Sequence, residues 1–99
     1  MEDNEVSQYF MEHPDQYSVV QDEETIRFLK SLQTQALTED EIFFLYKKNA
    51  KRIFQKCLDL NLIEKVMVAG KQRFFVTAEG KIFLQEWEKL RKSFEMFRQ

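Results

Sequence analysis

The sequence is poor in the residues that define several protein classes. Its 99 residues contain one cysteine, one proline and two glycines. A single cysteine cannot close an internal disulfide, which argues against a disulfide-stapled secreted scaffold. So few glycines and prolines argue against a collagen-like chain and against an all-β domain with many tight turns. The composition, 43% hydrophobic and 32% charged, is instead typical of one small, mostly helical globular domain.

Membrane and export signals are also lacking. No apolar stretch approaches the roughly 18 residues that a membrane-spanning helix needs. The N-terminus carries acidic residues where a secretory signal would have basic and apolar regions. We therefore expect a cytoplasmic protein with no membrane partner.

Residues suited to catalysis or metal binding are sparse. His13 and Cys57 are single residues of their types, far apart in the sequence and outside any catalytic motif. The sequence has no glycine-rich phosphate loop and no metal-ligand spacing. Cys57 falls on a predicted apolar helix face, where a small core residue is expected. We predict a protein that is not an enzyme and has no metal, cofactor or small-molecule ligand.

Basic residues are missing from the first quarter of the chain. Residues 1–25 hold eight acidic residues and no lysine or arginine, which gives a charge of −8. Residues 26–99 hold fifteen basic and nine acidic residues, a charge of +6, so that the whole chain carries −2. An acidic arm on a basic body is typical of domains that bind polyanions. The alternative is that both parts are ordinary solvated surface.

Apolar spacing and capping residues predict a series of helices. A short helix in the arm would end at Pro14, with residues 15–21 extended or in a loop. A longer helix is predicted over about 23–35. Thr38 and Glu41 form a capping box that predicts a short helix over about 39–46. Asn49 is a good N-cap for a third helix over about 50–60, although one continuous helix is the alternative.

The hydrophobic period changes from helix to strand after Asn61. Two β-prone runs follow, separated by Gly70, which can take the positive φ of a tight hairpin. Thr77 then caps a final helix over about 78–97. The ten phenylalanines are expected to fill the core of this short chain. The predicted fold is α+β and mostly helical, with three helices, a β-hairpin and a long last helix.

This order is that of a winged helix, and part of the sequence resembles one. Residues 60–87, LNLIEKVMVAGKQRFFVTAEGKIFLQEW, resemble the wing and closing helix of small winged helix-turn-helix regulators from archaea, their viruses and bacteria. Asn61-Leu62-Ile63 matches the exit from the third helix, with asparagine in place of the usual glycine. Val76-Thr77-Ala78-Glu79-Gly80 matches the opening of the closing helix. The resemblance covers residues 36–90 and implies a DNA-binding transcription regulator, whereas the acidic arm has no counterpart in it.

The third helix carries the residues expected to contact DNA. Residues 47–56 include five basic side chains and no acidic one. A helix with an apolar back and a basic, amide-bearing front suits the major groove, where cations meet phosphates and Arg52 or Gln55 can pair with base edges. The wing tip is expected to contact the flanking backbone or minor groove. The predicted DNA-binding residues are Lys47, Lys48, Asn49, Lys51, Arg52, Gln55, Lys56, Lys71, Gln72 and Arg73.

The last helix carries an apolar stripe with heptad spacing. Its members are Phe83, Trp87, Leu90, Phe94 and Phe97. Such a stripe is typical of a helix pair between two subunits, and it predicts a homodimer whose two recognition helices address adjacent DNA half-sites. The alternative is that the stripe packs on its own domain or on the N-terminal helix.

These observations predict an acidic arm at residues 1–21 and a winged-helix domain at residues 22–99 that includes a dimerisation helix. The predicted function is sequence-specific binding of double-stranded DNA by a dimeric transcription regulator. Two alternatives are a winged-helix protein-interaction module and a nonspecific architectural DNA-binding protein. The acidic arm could also fold over the third helix and compete with DNA.

Overall fold

A computed structural model describes the backbone of residues 8–98 and the side chains of residues 8–93. After a short N-terminal segment, three helices pack around one core, and a hairpin and a long helix follow. The predicted order of elements is confirmed. The bounds are α1 (Glu23–Thr34), α2 (Glu39–Tyr46), α3 (Ala50–Asp59), β1 (Ile63–Val68), β2 (Lys71–Val76) and α4 (Ala78–Arg98).

Side-chain caps fix where the first two helices begin. Asp22 caps α1 by accepting a hydrogen bond from the backbone N–H of Thr25. At α2 the capping box is present as predicted. Thr38 Oγ1 accepts from the Glu41 N–H at 3.2 Å, and the Glu41 carboxylate accepts from the Thr38 N–H at 2.9 Å. Each cap satisfies backbone donors that the first helical turn leaves unpaired.

The break between α2 and α3 lies where the sequence predicts it. Asn49 is the N-cap residue of α3, as predicted, but its side chain makes no capping hydrogen bond. The chain turns at Lys47, whose φ of 51° ends α2, and a single 3-10 turn over Lys47–Asn49 leads into α3. A left-handed residue interrupts the helical hydrogen-bond ladder and changes the direction of the chain.

The hairpin is a regular antiparallel pair in which Ile63 faces Val76 and Val68 faces Lys71. Ala69 and Gly70 connect the strands with φ angles of 52° and 78°. Positive φ at both loop residues is the type I′ geometry that matches the twist of a two-stranded ribbon. The positive φ predicted for Gly70 is confirmed.

The hairpin is attached to the helices by backbone hydrogen bonds at Leu37. The Leu37 N–H donates to the Phe74 carbonyl at 3.1 Å, and the Phe74 N–H donates to the Leu37 carbonyl at 2.7 Å. This bridge fixes β2 against the segment that leads into α2. The wing therefore has a defined position relative to the helices.

The junction into α4 depends on Thr77 and Gly80 of the motif at positions 76–80 and on Asn61, which follows α3. Thr77 Oγ1 accepts from the Gly80 N–H at 2.9 Å, which confirms Thr77 as the cap of α4. Asn61 takes the left-handed conformation with φ of 59°, as its match to a glycine position implies. Gly80 is buried so close to the Leu62 carbonyl oxygen that a methyl group there would overlap it.

One apolar core joins all the elements. Helices α1, α2 and α3 and the first half of α4 contribute fully buried side chains. The hairpin contributes its inward-facing residues. The largest of these side chains are Phe28, Leu29, Leu32, Ile42, Ile53, Leu62 and Phe83.

The described part of the acidic arm packs into this core. Residues 8–12 are helical, and a one-turn helix follows at Pro14–Tyr17, where the sequence had predicted a loop. Phe10 and Val19 are buried in the same core as α1 and α4. The Trp87 indole N–H also donates to the Val20 carbonyl at 3.0 Å. Phe10 and Val19 of the predicted arm therefore share the core of the predicted winged-helix domain.

The apolar stripe of α4 begins inside the domain. Phe83 is fully buried and meets the Phe10 ring edge-on at a centroid distance of 6.0 Å. The prediction that Phe83 lies in a dimer interface is therefore wrong, because its own chain covers it. Trp87 and Leu90 are partly buried against the core. The side chains of Phe94 and Phe97 lie outside the described part.

Among the helices described here, none combines the length and the apolar character that crossing a bilayer requires.

Candidate nucleic-acid interface

Helix α3 has the two faces that its sequence predicts. Ala50, Ile53 and Cys57 are fully buried. On the opposite side, Lys51 and Gln55 are exposed and one turn apart. Because a helical turn places residues i and i+4 on one face, these two side chains point outward together.

Further lysines border this face. Lys47 and Lys48 lie in the 3-10 turn just before α3, and Lys56 lies on its flank. All three are exposed. Together with Lys51 they give the outer side of α3 a strongly positive surface on a chain whose net charge is −2. A local positive field of this kind attracts polyanions whatever the net charge of the chain.

Arg52 forms ion pairs within the chain. Its guanidinium donates to the Asp22 carboxylate at 2.6 Å and lies 3.8 Å from the carboxylate of Glu24. Burial raises the pKa of Asp22, but hydrogen bonds from Arg52 and Thr25 outweigh this effect, and the pKa lies below its ordinary value. The sequence predicted that Arg52 contacts DNA, and the structure pairs its guanidinium with acidic side chains at the start of α1.

Asn49 is held by Glu24, one of the two acidic residues that pair with Arg52. Its amide nitrogen donates to the Glu24 carboxylate at 2.8 Å. The beginning of α1 thus lies against the beginning of α3, and two of the predicted DNA-binding side chains are turned towards it. Sequence analysis missed Asp22 and Glu24 as partners, and the only available signal was that acidic residues cluster ahead of a basic helix.

Gln55 is hydrogen-bonded along its own helix. The Gln55 amide nitrogen donates to Asp59 at 2.9 Å, and both side chains are exposed. This i, i+4 contact leaves the Gln55 side chain on the outer face, where solvent or a ligand can compete for it.

The wing tip presents two of its three predicted residues. Lys71 and Gln72 are exposed at the start of β2. Arg73 instead points back to the body, where it donates to the Ala36 carbonyl and to the Glu41 carboxylate, both at 3.2 Å. Arg73 was predicted to contact DNA from the wing, but its side chain is engaged by its own domain.

The ion pair with Arg73 also lowers the pKa of Glu41, a residue of the capping box of α2. Hydrogen bonds from Thr38 and, to a smaller extent, the charge of Arg73 lower the pKa of Glu41 below its ordinary value. The Glu41 carboxylate thus links the capping box of α2 to the second strand of the wing.

Within residues 8–93, no group of three or more histidine, cysteine or acidic side chains is placed to hold a metal ion. Cys57 is fully buried in the core, as predicted. Burial raises the pKa of its thiol to about 12. The thiolate is the reactive form of cysteine, and this shift of the pKa disfavours it.

Comparisons with solved structures identify the fold. An archaeal protein, reported as a mechanosensitive channel and described as a structural homologue of MarR-like transcriptional regulators, aligns with a TM-score of 0.62 and 16% identity. The alignment covers 86% of this chain and 77% of that one. A mutant of S. aureus MepR bound to an oligodeoxyribonucleotide aligns with a TM-score of 0.61 and 14% identity, covering 97% of this chain and 72% of that one. The chain has the winged-helix fold.

No family model matches the sequence. No curated protein matches it either.

Proposed function

We propose that this protein binds double-stranded DNA as a dimeric winged-helix transcription regulator inside the cell. The observation that carries this proposal is the outer face of α3. Residues 47–56 hold five basic side chains and no acidic one, on a helix whose other face is buried. The DNA-bound MepR structure with a similar fold supports the same function.

The exposed residues divide into two roles. In this proposal Lys51 and Gln55, both exposed on α3, enter the major groove, where glutamine can pair with adenine and lysine with guanine or a phosphate. Lys47, Lys48 and Lys56 border that face and neutralise backbone phosphates. At the wing, Lys71 and Gln72 contact the flanking backbone.

Arg52 and Arg73 have other roles in this proposal. Both are engaged in contacts with acidic side chains, Arg52 with Asp22 and Arg73 with Glu41. Sequence readout then depends chiefly on Lys51 and Gln55. Arg52 contributes to DNA binding only when its ion pair opens.

Dimerisation is assigned to the outer half of α4. This helix has 21 residues and is therefore about 31 Å long. Phe83, in its first half, is buried in the domain core and is not available to a partner. Leu90, Phe94 and Phe97 continue the apolar stripe beyond that point. Pairing through this stripe would place two copies of α3 on adjacent half-sites of one DNA duplex.

The first test is a fluorescence anisotropy titration of the protein into a labelled random-sequence duplex at several salt concentrations. We expect affinity to fall steeply with salt, as for roughly 4–8 phosphate contacts per dimer. Lys51→Glu should abolish binding. Lys92→Glu makes the same change of charge on the exposed surface of α4 and should leave binding intact.

The outcome also separates the alternatives. Equal loss of affinity in both variants would mean that net charge, not the α3 face, governs binding. Absence of binding at low salt would refute the DNA proposal and favour a protein-interaction module. If DNA is bound but selected operator sequences bind no tighter than random duplex, the protein is an architectural DNA-binding protein.

A further inference from the structure

The tip of the wing presents apolar side chains to solvent. Met67 is 67% exposed and Val68 is 46% exposed. Both lie at the end of β1, directly before the turn at Ala69 and Gly70. The end of a two-stranded ribbon is only two residues wide, so these side chains project from the body on a narrow support. We call Met67, Val68 and Ala69 the apolar tip.

Met67 lies on the face of the hairpin that contacts α3. Its partner across the strands is Gln72, and the next pair on the same face is Lys65 with Phe74. The Phe74 ring meets the ring of Phe54, a residue of α3, edge-on at a centroid distance of 4.7 Å. Met67 is two residues further along the strand, about 7 Å towards the tip. The most exposed apolar side chain of the wing is therefore on the same side as the helix that we propose to bind DNA.

The position of the tip is fixed before any ligand binds. Backbone hydrogen bonds between Leu37 and Phe74 hold β2 against the body. The two positive φ angles of the turn close the hairpin in its preferred geometry. A preformed tip gives up little conformational freedom on binding, which favours its insertion into a ligand of defined shape.

The charge around the tip suits a polyanion. Residues 65–73 contain two lysines, one arginine and no acidic residue. Lys65 and Lys71 are exposed on either side of the tip. Such surroundings attract phosphates and repel an identical tip of a second copy. Arginine is the side chain that most often enters a minor groove, but here Arg73 is engaged by Glu41. The wing thus offers an apolar side chain where a cation is usual.

We propose that Met67 enters the minor groove next to the α3 site and wedges between two stacked base pairs. This inference rests on the proposed DNA-binding function. Methionine is among the apolar side chains that unstack base steps from the minor groove, and flanking lysines can hold the adjacent phosphates. Pyrimidine–purine steps such as TA unstack most readily, whereas A-tracts are stiff. The wing then selects DNA by its deformability, in addition to the base edges read by α3.

The test compares two duplexes of equal length that contain only A·T pairs. One alternates, with a TA step at every second position, and the other is an uninterrupted A-tract. Anisotropy titrations at one salt concentration give the ratio of the two Kd values. We expect the unmodified protein to bind the alternating duplex at least about fivefold more tightly. Met67→Gln keeps the length of the side chain but makes its end polar, and it should bring the ratio close to one. Met67→Leu should preserve the ratio.

A spectroscopic measurement tests the unstacking itself. 2-Aminopurine is weakly fluorescent when stacked, and it replaces one adenine of a TA step, at each step of the alternating duplex in turn. Saturation with the unmodified protein or with Met67→Leu should raise the fluorescence. Saturation with Met67→Gln should not, although that variant still binds through α3.

Two control variants separate the wedge from general effects. Lys71→Gln should weaken binding to both duplexes by the same factor, because a phosphate contact is common to both. Met11→Gln should change neither affinity, since Met11 is 78% exposed but lies in the N-terminal segment.

The outcomes distinguish this proposal from the one on which it rests. Equal affinity of the unmodified protein for both duplexes, or an unchanged ratio in Met67→Gln, would refute the wedge while DNA binding itself stands. The same holds for a fluorescence rise of equal size with Met67→Gln. Absence of binding to either duplex at low salt would refute the DNA-binding function and the wedge together.

Discussion

The guanidinium of Arg52 lies 2.6 Å from the carboxylate of Asp22, thirty residues earlier in the chain. The contact connects the first residue before α1 to the outer flank of α3. It places an acidic side chain on the helix that we propose to bind DNA. Glu24 reinforces the arrangement by accepting a hydrogen bond from Asn49.

Removing the acidic partners should strengthen DNA binding. In Asp22→Asn/Glu24→Gln, the Arg52 side chain is released to meet a phosphate, and asparagine can still cap α1. We expect affinity to rise several-fold and the log–log salt slope to steepen by about 0.9 per released arginine. The measurement is the anisotropy titration at several salt concentrations.

A matched control corrects for net charge. Glu12→Gln/Asp15→Asn removes two carboxylates from the N-terminal segment, where neither contacts α3. An equal gain in affinity from this control would show that the Arg52 pair has no specific effect. A loss of affinity in Asp22→Asn/Glu24→Gln would mean that the pair instead positions α3 for binding.

The ion pair between Arg52 and Asp22 should make the free energy of unfolding depend on pH in the acidic range. Because the pKa of Asp22 is lowered in the folded protein, its contribution is present above the ordinary carboxyl pKa of about 4 and is lost as pH falls through the folded value. Asp22→Asn should therefore flatten the pH dependence of the free energy of unfolding below pH 4 and leave its slope near neutrality unchanged. Urea denaturation at a series of pH values measures this free energy. If it fell equally steeply below pH 4 in the variant and in the unmodified protein, the prediction would be contradicted.

Phe83→Ala should destabilise the single chain itself. Removing a fully buried phenylalanine costs about 3–5 kcal/mol in free energy of unfolding, and Phe10→Ala should cost a similar amount because the two rings touch. Met11→Ala, at an exposed neighbouring position, should change stability little. Urea unfolding at two protein concentrations checks whether the loss is independent of concentration. A loss that grew on dilution would indicate a dimer interface at Phe83.

Gly80→Ala should be destabilising although alanine is the better helix former. The added methyl group would overlap the Leu62 carbonyl oxygen and the Val76 side chain. This overlap should outweigh the gain in helix propensity of about 1 kcal/mol. Ala78→Gly is a useful comparison, since Ala78 is exposed in the same turn and should lose only that propensity. A thermal midpoint for Gly80→Ala equal to or above that of the unmodified protein would contradict the prediction.

The Cys57 thiol should be unreactive until the protein unfolds. Its pKa of about 12 keeps it protonated at pH 8, and the surrounding core excludes reagent. Labelling with a thiol reagent should therefore be far slower in buffer than in denaturant, with one thiol per chain modified in denaturant. Rapid labelling of the folded protein would show that α3 opens locally.

Local interactions explain what the sequence alone determined. The capping box at Thr38, the positive φ of Gly70 and Asn61, and the Thr77 cap each depend on residues only a few positions apart. The two faces of α3 likewise follow from helical periodicity. These signals were sufficient to predict the order of elements, the winged-helix fold and the lysines that remain exposed.

Contacts between distant residues were decided only by the tertiary structure. Arg52 and Asp22 are thirty positions apart, Arg73 and Glu41 thirty-two, and Trp87 and Val20 sixty-seven. A charge pattern shows that an arginine is available, but not whether an acidic residue from another helix already holds it. The stripe on α4 was ambiguous for the same reason. Heptad spacing defines an apolar face, whereas only three-dimensional packing shows that Phe10 covers Phe83 and that nothing in the described chain covers Phe44.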